Sequence, residues 1–271
     1  MLFNIIIFSK NRASQLDLLL RSVECYANWV LLQKLTVIYR ADEPYSESYN
    51  KLKETYPMAQ WVEEDSTAVF KELVLGSIDG TIPYTMFLVD DNVFVGESTV
   101  ITDGSLEKFS NDLSVCTVSQ RLWSGINYCY AINQPTPLPV TYQVDERVWN
   151  WRGEPGDWGY PYSLDGNIFR TSQIYEQIKS IEFTGPNLLE GYIGCNWQIP
   201  GELMLCSKSP TVMNNPCNKV QGVFPNRSGN VDPMEVELGF QSGKRLSLRP
   251  FTGLIYNAVH TEVPLVWETM C

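Results

Sequence analysis

Cations and histidine are scarce in this chain: 20 Lys and Arg stand against 31 Asp and Glu, the formal net charge is −11, and there is one histidine in 271 residues. So acidic a chain has no general surface for nucleic acid or for an anionic membrane. No apolar run reaches the roughly 18 to 20 residues of a membrane span. The N-terminal MLFNIIIFSKNR places its basic residues after a very short apolar run, the reverse of a signal peptide, and reads as a first strand. Seven cysteines, an odd number with no Cys-x-x-Cys spacing, suggest neither a zinc site nor a closed disulfide framework and point to a reducing, cytoplasmic setting. Asn226-Arg-Ser matches a glycosylation sequon, a match at chance level that such a compartment would not use. No GxGxxG follows the first strand and no GxxxxGK[ST] occurs, so dinucleotide-binding and P-loop readings lose their main warrant.

What is present is a substantial apolar fraction, 44%, with 12% aromatic residues, enough for a real core. FNIIIF (3–8) is a continuous β-branched and aromatic run, as expected of a strand buried on both faces. Leu16, Leu19, Leu20, Val23 and Ala27 recur at helical spacing, which predicts a helix over 13–29. Strands at 35–39, 59–64, 84–91 and 114–122 alternate with helices at 46–56 and 67–78. That alternation predicts a mostly parallel sheet with helices on both faces, an α/β fold. From Trp123 to Gly166 the chain is rich in Trp, Tyr, Pro and Gly with little periodicity, as in an irregular layer over a sheet's active edge. Helical spacing returns at 170–179 and 187–196. No linker or repeat divides the chain, so the expectation is a single domain over 1–271, with a nucleotide-binding first half (1–122) and a substrate-shaping second half (123–271).

The motif with most chemistry is FLVDDNVF (87–94), in which a buried strand runs into Asp90, Asp91 and Asn92. Adjacent carboxylates repel and resist desolvation, so a chain that builds such a pair usually offsets it with a cation. Oxygen ligands on a tight strand end suit Mg²⁺ or Mn²⁺ with positions left open for a diphosphate, while Asp and Asn are also ordinary turn residues. Two other strand ends, FSKNR (8–12) and YRADE (39–43), are polar and basic, so three loops are expected to face one crevice.

IIIFSKNRASQLDLLLRSV, a second strand ending in a polar loop, and FLVDDN together resemble the nucleotide-sugar-binding half of a GT-A-fold glycosyltransferase of the broad family 2 type. GYPYSLDGNIFRTSQIYEQIKSIEFTGPNLLEGYIG is similar to that family's acceptor-side pattern. The resemblance covers residues 3 to about 196 and implies a GT-A-like, Rossmann-type fold and transfer of a sugar from a nucleoside diphosphate, UDP being the family's common choice, to an acceptor hydroxyl, with inversion, in glycan biosynthesis. It implies Asp91 as a direct ligand of Mn²⁺ or Mg²⁺, Asn92 in support, and Asp90 nearer the ribose or donor sugar. The loops carrying Ser9, Lys10, Asn11, Arg12 and Arg40 would meet the base, ribose and diphosphate. His260 would complete the metal site, and Lys219, Gln221 or Arg227 in the segment 215–229 would reach the diphosphate. Glu190 is the expected general base, although one acidic residue of the usual Glu-Asp pair is missing and Leu189 and Gly191 flank it. Asp157, in the aromatic loop GEPGDWGYPY, is the rival and would grip sugar hydroxyls. Two other readings stay open: a sugar nucleotidyltransferase, for which the glycine-free FSKNRASQ is a poor match, and a non-catalytic carbohydrate-binding protein on a degenerate transferase fold.

Overall fold

In a computed structural model, residues 2–26, 34–219 and 227–269 are described. In chain order the elements begin β1 (Phe3–Lys10), α1 (Ala13–Tyr26), β2 (Lys34–Arg40), α2 (Ser46–Thr55) and β3 (Gln60–Glu63). They continue α3 (Phe70–Ser77), β4 (Tyr84–Val89), β5 (Asn92–Phe94), α4 (Ser105–Asn111) and β6 (Val115–Ser119). The second half holds β7 (Tyr128–Cys129), β8 (Gln134–Pro135), β9 (Val148–Asn150), β10 (Asn167–Arg170), α5 (Thr171–Lys179) and α6 (Pro186–Cys195). It closes with β11 (Leu203–Cys206), β12 (Val212–Asn214), α7 (Pro233–Gln241), β13 (Lys244–Leu246) and β14 (Trp267–Thr269).

The central sheet has the order β3-β2-β1-β4-β10-β6-β11-β9. Strands β3, β2, β1 and β4 run parallel, as do β6 and β11. The chain builds outward from β1 through β2 to β3 and then returns to add β4 on β1's other side, which makes a topological switch point between β1 and β4. Ligand crevices in such sheets open outside the carboxyl ends of the strands at that point. Ser9 to Arg12 and Asp90-Asp91 lie there.

The uninterrupted apolar run of β1 is explained by its two covered faces. Phe3, Ile5 and Ile7 share one core with Leu16, Leu19, Leu20 and Val23 of α1, whereas Ile6 and Phe8 enter the other with Phe70, Val74, Phe87, Ile174 and Ile178. Each such side chain contributes about 1.5–3 kcal/mol on burial. Two strands run against their neighbours: β10 lies antiparallel between β4 and β6, and β9 pairs antiparallel with β11 at the edge, so the sheet is mixed. Gly166, at φ 85, makes the turn into β10 in a conformation that other residues adopt at a cost. The helix expected from 67 begins with one 3₁₀ turn, α3 proper starting at Phe70, and α4 had no counterpart among the expected helices. The expected extension of α1 past Tyr26 lies outside the described residues. Among those residues no helix is long and apolar enough to cross a membrane.

Candidate functional site

The first strand ends in a turn that ties two loops together. Asn11 sits in the left-handed region at φ 53, where Asn is better tolerated than most residues. Its amide spans to the β2 end: Oδ1 accepts from the Asp42 backbone N–H at 2.8 Å and Nδ2 donates to Asp42 Oδ2 at 3.0 Å. Its own N–H donates to the Arg40 carbonyl at 3.1 Å. Arg40 Nε donates to Asp42 Oδ1 at 3.1 Å, and Lys10 Nζ stands 4.0 Å from Asp42. The Asn11 hydrogen bond, against partial burial and with help from Arg40, holds the Asp42 carboxyl below the usual carboxylate range.

Behind this rim lies the acidic pair. Asp90 Oδ2 accepts from Ser9 Oγ and the Lys10 N–H, each at 3.0 Å, and its Oδ1 accepts from Arg12 Nη1 at 3.0 Å. The same Nη1 donates to Asp91 Oδ2 at 3.0 Å, and Asp91 Oδ1 accepts from Asn214 Nδ2 at 2.7 Å. Arg12 Nη2 donates to the Asn218 carbonyl at 2.6 Å. The Arg12, Asp90 and Asp91 side chains are only 10%, 5% and 12% exposed. Burial opposes the Arg12 charge, but the two carboxylates outweigh it and strengthen the guanidinium's hold on its proton. Asp91 is pushed up to about 6, first by burial and then by Asp90 and Asp165, with Arg12 pulling the other way.

A second cluster adjoins the first across β12. Asn214, which bonds Asp91, pairs through its backbone with His260. His260 Nε2 lies 3.4 Å from Asp165 Oδ2, and the imidazole stacks on Tyr130 at 6.4 Å between centroids. Arg121, 2% exposed, places Nη1 3.3 Å from Asp157 Oδ1 and 3.9 Å from Asp165 Oδ2, with its guanidinium 5.9 Å from the Tyr160 ring. Burial raises the cost of the Asp165 charge, but His260 and Arg121 hold its carboxyl below the usual range. Burial likewise disfavours the imidazolium, yet Asp165 carries His260 above its ordinary value. Glu190 Oε1 accepts from the Leu164 N–H at 3.1 Å. Burial, then the charge of Asp165, pushes Glu190 up to about 7. Buried polar atoms with no hydrogen-bond partner concentrate here: Arg121 Nε and Nη2, Asp157 Oδ2 and His260 Nδ1. Such groups are rare in folded chains, and a cluster of them marks a place where structure gives way to another requirement.

Several residues expected at the site stand elsewhere in its plan. Asn92 is fully buried and its Oδ1 accepts from the Val89 N–H at 2.8 Å, closing the strand-end turn. Arg227 lies 4.1 Å from the Tyr130 ring centroid and donates to Asn133 Oδ1 at 2.8 Å, so it fastens its segment to the β7–β8 hairpin. Gln221 and Asn226 lie outside the described residues. Arg121, Asp165, Asn214 and Asn218 were not anticipated. For Arg121 the available signal was a cation closing the apolar run SVCTVSQRL; Asp165, in SLDGN, looks like any turn.

As folded, the side chains do not fit a divalent ion. The expected ligands Asp91, Asn92 and His260 each spend a ligating atom on a protein partner, Asp91 both of its oxygens. Among the described residues no group of three or more His, Cys, Asp and Glu side chains could hold a metal.

No family model matches the chain. Over 197 residues it is 26% identical to the bifunctional glycosyltransferase pgtA of Dictyostelium discoideum, covering 65% of this chain and 25% of that protein. The chain thus spans about a quarter of the length of the curated relative it matches. Among solved structures, S. aureus TarS 1-349 in complex with UDP-GlcNAc is 12% identical at a TM-score of 0.45, covering 77% of this chain and 59% of that one. Mannosyltransferase PcManGT from Pyrobaculum calidifontis, in complex with GDP-Man and Mn²⁺, is 9% identical at 0.46, covering 76% and 55%. A cytidylyltransferase from Leptospira borgpetersenii is 9% identical at 0.43, covering 78% and 77%. The sheet is a mixed α/β sheet with its switch point between β1 and β4 and the acidic strand end beside it. The curated similarity is to a glycosyltransferase.

Proposed function

We propose that the chain is a glycosyltransferase that moves a sugar from a nucleoside-diphosphate sugar, with UDP as the nucleotide, to an acceptor hydroxyl with inversion. The observation that carries this reading is the meeting of two polar clusters at the carboxyl ends of β1 and β4, one built on Asp90 and Asp91 and the other on Asp165, Arg121 and Glu190. In this reading residues 1–122 hold the donor and 123–271 the acceptor. The loops with Ser9, Lys10, Asn11 and Arg40 receive the nucleotide, and α1, starting at Ala13 directly behind them, favours negative charge at its N-terminus. Asp90 orients the donor through the Ser9 and Lys10 loop that it bonds. Asp157 and Arg121 bind sugar hydroxyls beside the Tyr160 face.

Glu190 is the general base. Its carboxylate takes the acceptor hydroxyl proton as the acceptor oxygen bonds to the anomeric carbon. The bond from that carbon to the diphosphate breaks on the opposite face, and the nucleoside diphosphate leaves with the electron pair. A carboxyl poised near 7 is ionised enough to serve and basic enough to accept the proton. The test is nucleoside-diphosphate release from UDP-, GDP-, TDP- and CDP-sugars over an acceptor panel, with Glu190→Gln alongside. Turnover with one donor, reduced about 10²- to 10⁴-fold in the variant, is expected; binding of none of the four nucleotides would sink the reading.

A further inference from the structure

Arg12 stands where the sequence led us to expect a metal. A single guanidinium nitrogen bridges the two strand-end carboxylates at 3.0 Å each, the position from which an ion would cancel their repulsion. We propose that Arg12 is the resident cation of the Asp90-Asp91 pair, and that the nucleotide site works without a divalent ion. The second clause rests on reading the crevice as a donor site; the first does not.

Three features of the geometry support the assignment. Arg12 is held at both ends: its backbone N–H donates to the Tyr49 hydroxyl at 3.1 Å and its Nη2 to the Asn218 carbonyl at 2.6 Å. The remaining carboxylate oxygens also have protein donors, Asp90 Oδ2 from Ser9 and Lys10 and Asp91 Oδ1 from Asn214. Mg²⁺ or Mn²⁺ asks for about six oxygen ligands in near-octahedral array, so entry would require Arg12 to leave and this set of bonds to open together. Finally, Asn92 spends its side-chain oxygen on the Val89 N–H and His260 its Nε2 on Asp165, so neither of those atoms is given to the pair. Arginine suits the role because its charge is permanent and its planar fork meets carboxylates at fixed angles.

Removing the guanidinium should turn the pair into a metal site. The experiment measures uptake of Mn²⁺ by the whole chain, from the loss of the free-ion electron paramagnetic resonance signal, with near-ultraviolet circular dichroism recorded for every variant. The native chain and Arg12→Lys, which keeps the charge, are expected to leave the signal unchanged. Arg12→Gln is expected to take up one equivalent, lost again in Arg12→Gln/Asp91→Asn. Uptake by the native chain that Asp91→Asn abolishes would overturn the proposal, as would a folded Arg12→Gln that takes up nothing. In parallel, UDP, GDP, TDP and CDP are titrated calorimetrically in EDTA and in Mn²⁺. Affinity for one of them equal within about threefold in the two buffers supports metal-independent binding, and tenfold or greater tightening by Mn²⁺ overturns it. Binding of none in either buffer overturns the donor-site reading instead, while the Mn²⁺ uptake still decides the role of Arg12.

Discussion

Glu190 accepts a hydrogen bond from the Leu164 backbone N–H, one residue before Asp165, whose negative charge helps to raise the glutamate's affinity for its proton. Glu190 and the second cluster are therefore electrostatically one unit. Because a base works in its ionised form and this carboxyl stands at about 7, kcat is expected to rise with pH through about 7 and to level above it. Glu190→Gln should lose the rise together with the rate. A pH–rate profile that is flat from 5 to 9, roughly the range in which such a group titrates, would remove Glu190 from the role.

The same shift has a consequence for stability with a definite sign. The folded chain holds the Glu190 proton more tightly than the unfolded chain, where the group has its ordinary value of 4.5. Its contribution is fully present below 4.5 and is lost as pH rises through about 7. Urea midpoints taken across that window are expected to fall less steeply with pH in Glu190→Gln than in the native chain. Parallel curves would mean that the carboxyl is not perturbed.

Arg121 is the buried counter-charge of Asp157 and Asp165. Arg121→Leu leaves two largely buried carboxylates without it, and should destabilise the fold by about 3–5 kcal/mol. Arg121→Leu/Asp157→Asn should recover part of that loss, because one of the stranded charges is gone. Chemical denaturation of the single and double variants measures the recovery; strictly additive losses would show that the pair is not coupled.

Asn11 separates backbone from side-chain demands at one position. Asn11→Gly keeps access to φ 53 but deletes both bonds to Asp42, whereas Asn11→Ala loses the bonds and strains the turn as well. Nucleotide affinity is expected to fall similarly in both variants, since both free the 39–43 loop. Stability should fall further in Asn11→Ala, by about 1 kcal/mol. Equal stabilities would mean that the turn relaxes out of the left-handed region.

How much of this was legible in the sequence follows from how local each signal was. The β1 run, the helical spacing of α1 and the acidic strand end are patterns within a dozen residues, and each produced the expected element. The antiparallel β10 was missed because NIFR is four residues long and its direction is set by β4 and β6, far away in the chain. Arg12 was expected, from the resemblance, in a loop that meets the base, ribose and diphosphate. Its inward turn depends on Asp90, Asp91 and Asn218, the last 206 positions distant. Burial of Arg121 is equally a tertiary property, visible only once Asp157 and Asp165 are brought to it.

Two glycines put the packing around Glu190 to a sharper test. Gly194 in α6 faces Tyr162, and a Cβ there would lie 2.6 Å from the ring, while a Cβ at the exposed Gly76 of α3 would meet nothing within 4 Å. Helix propensity alone would make Ala better than Gly at either place, by up to about 1 kcal/mol. Gly76→Ala should show that gain. Gly194→Ala should instead lose about 1–3 kcal/mol, because the aromatic ring must shift against its neighbours. Tyr162 packs against Tyr160 and Trp197, with ring centroids 4.0 and 5.9 Å away, so the displacement would reach the face on which the sugar is proposed to rest. A loss of turnover in Gly194→Ala larger than its loss of stability explains, with nucleotide affinity unchanged, would locate the effect on the acceptor side. Stabilisation by Gly194→Ala as large as that by Gly76→Ala would show that Tyr162 yields freely and that the aromatic layer does not position the acceptor.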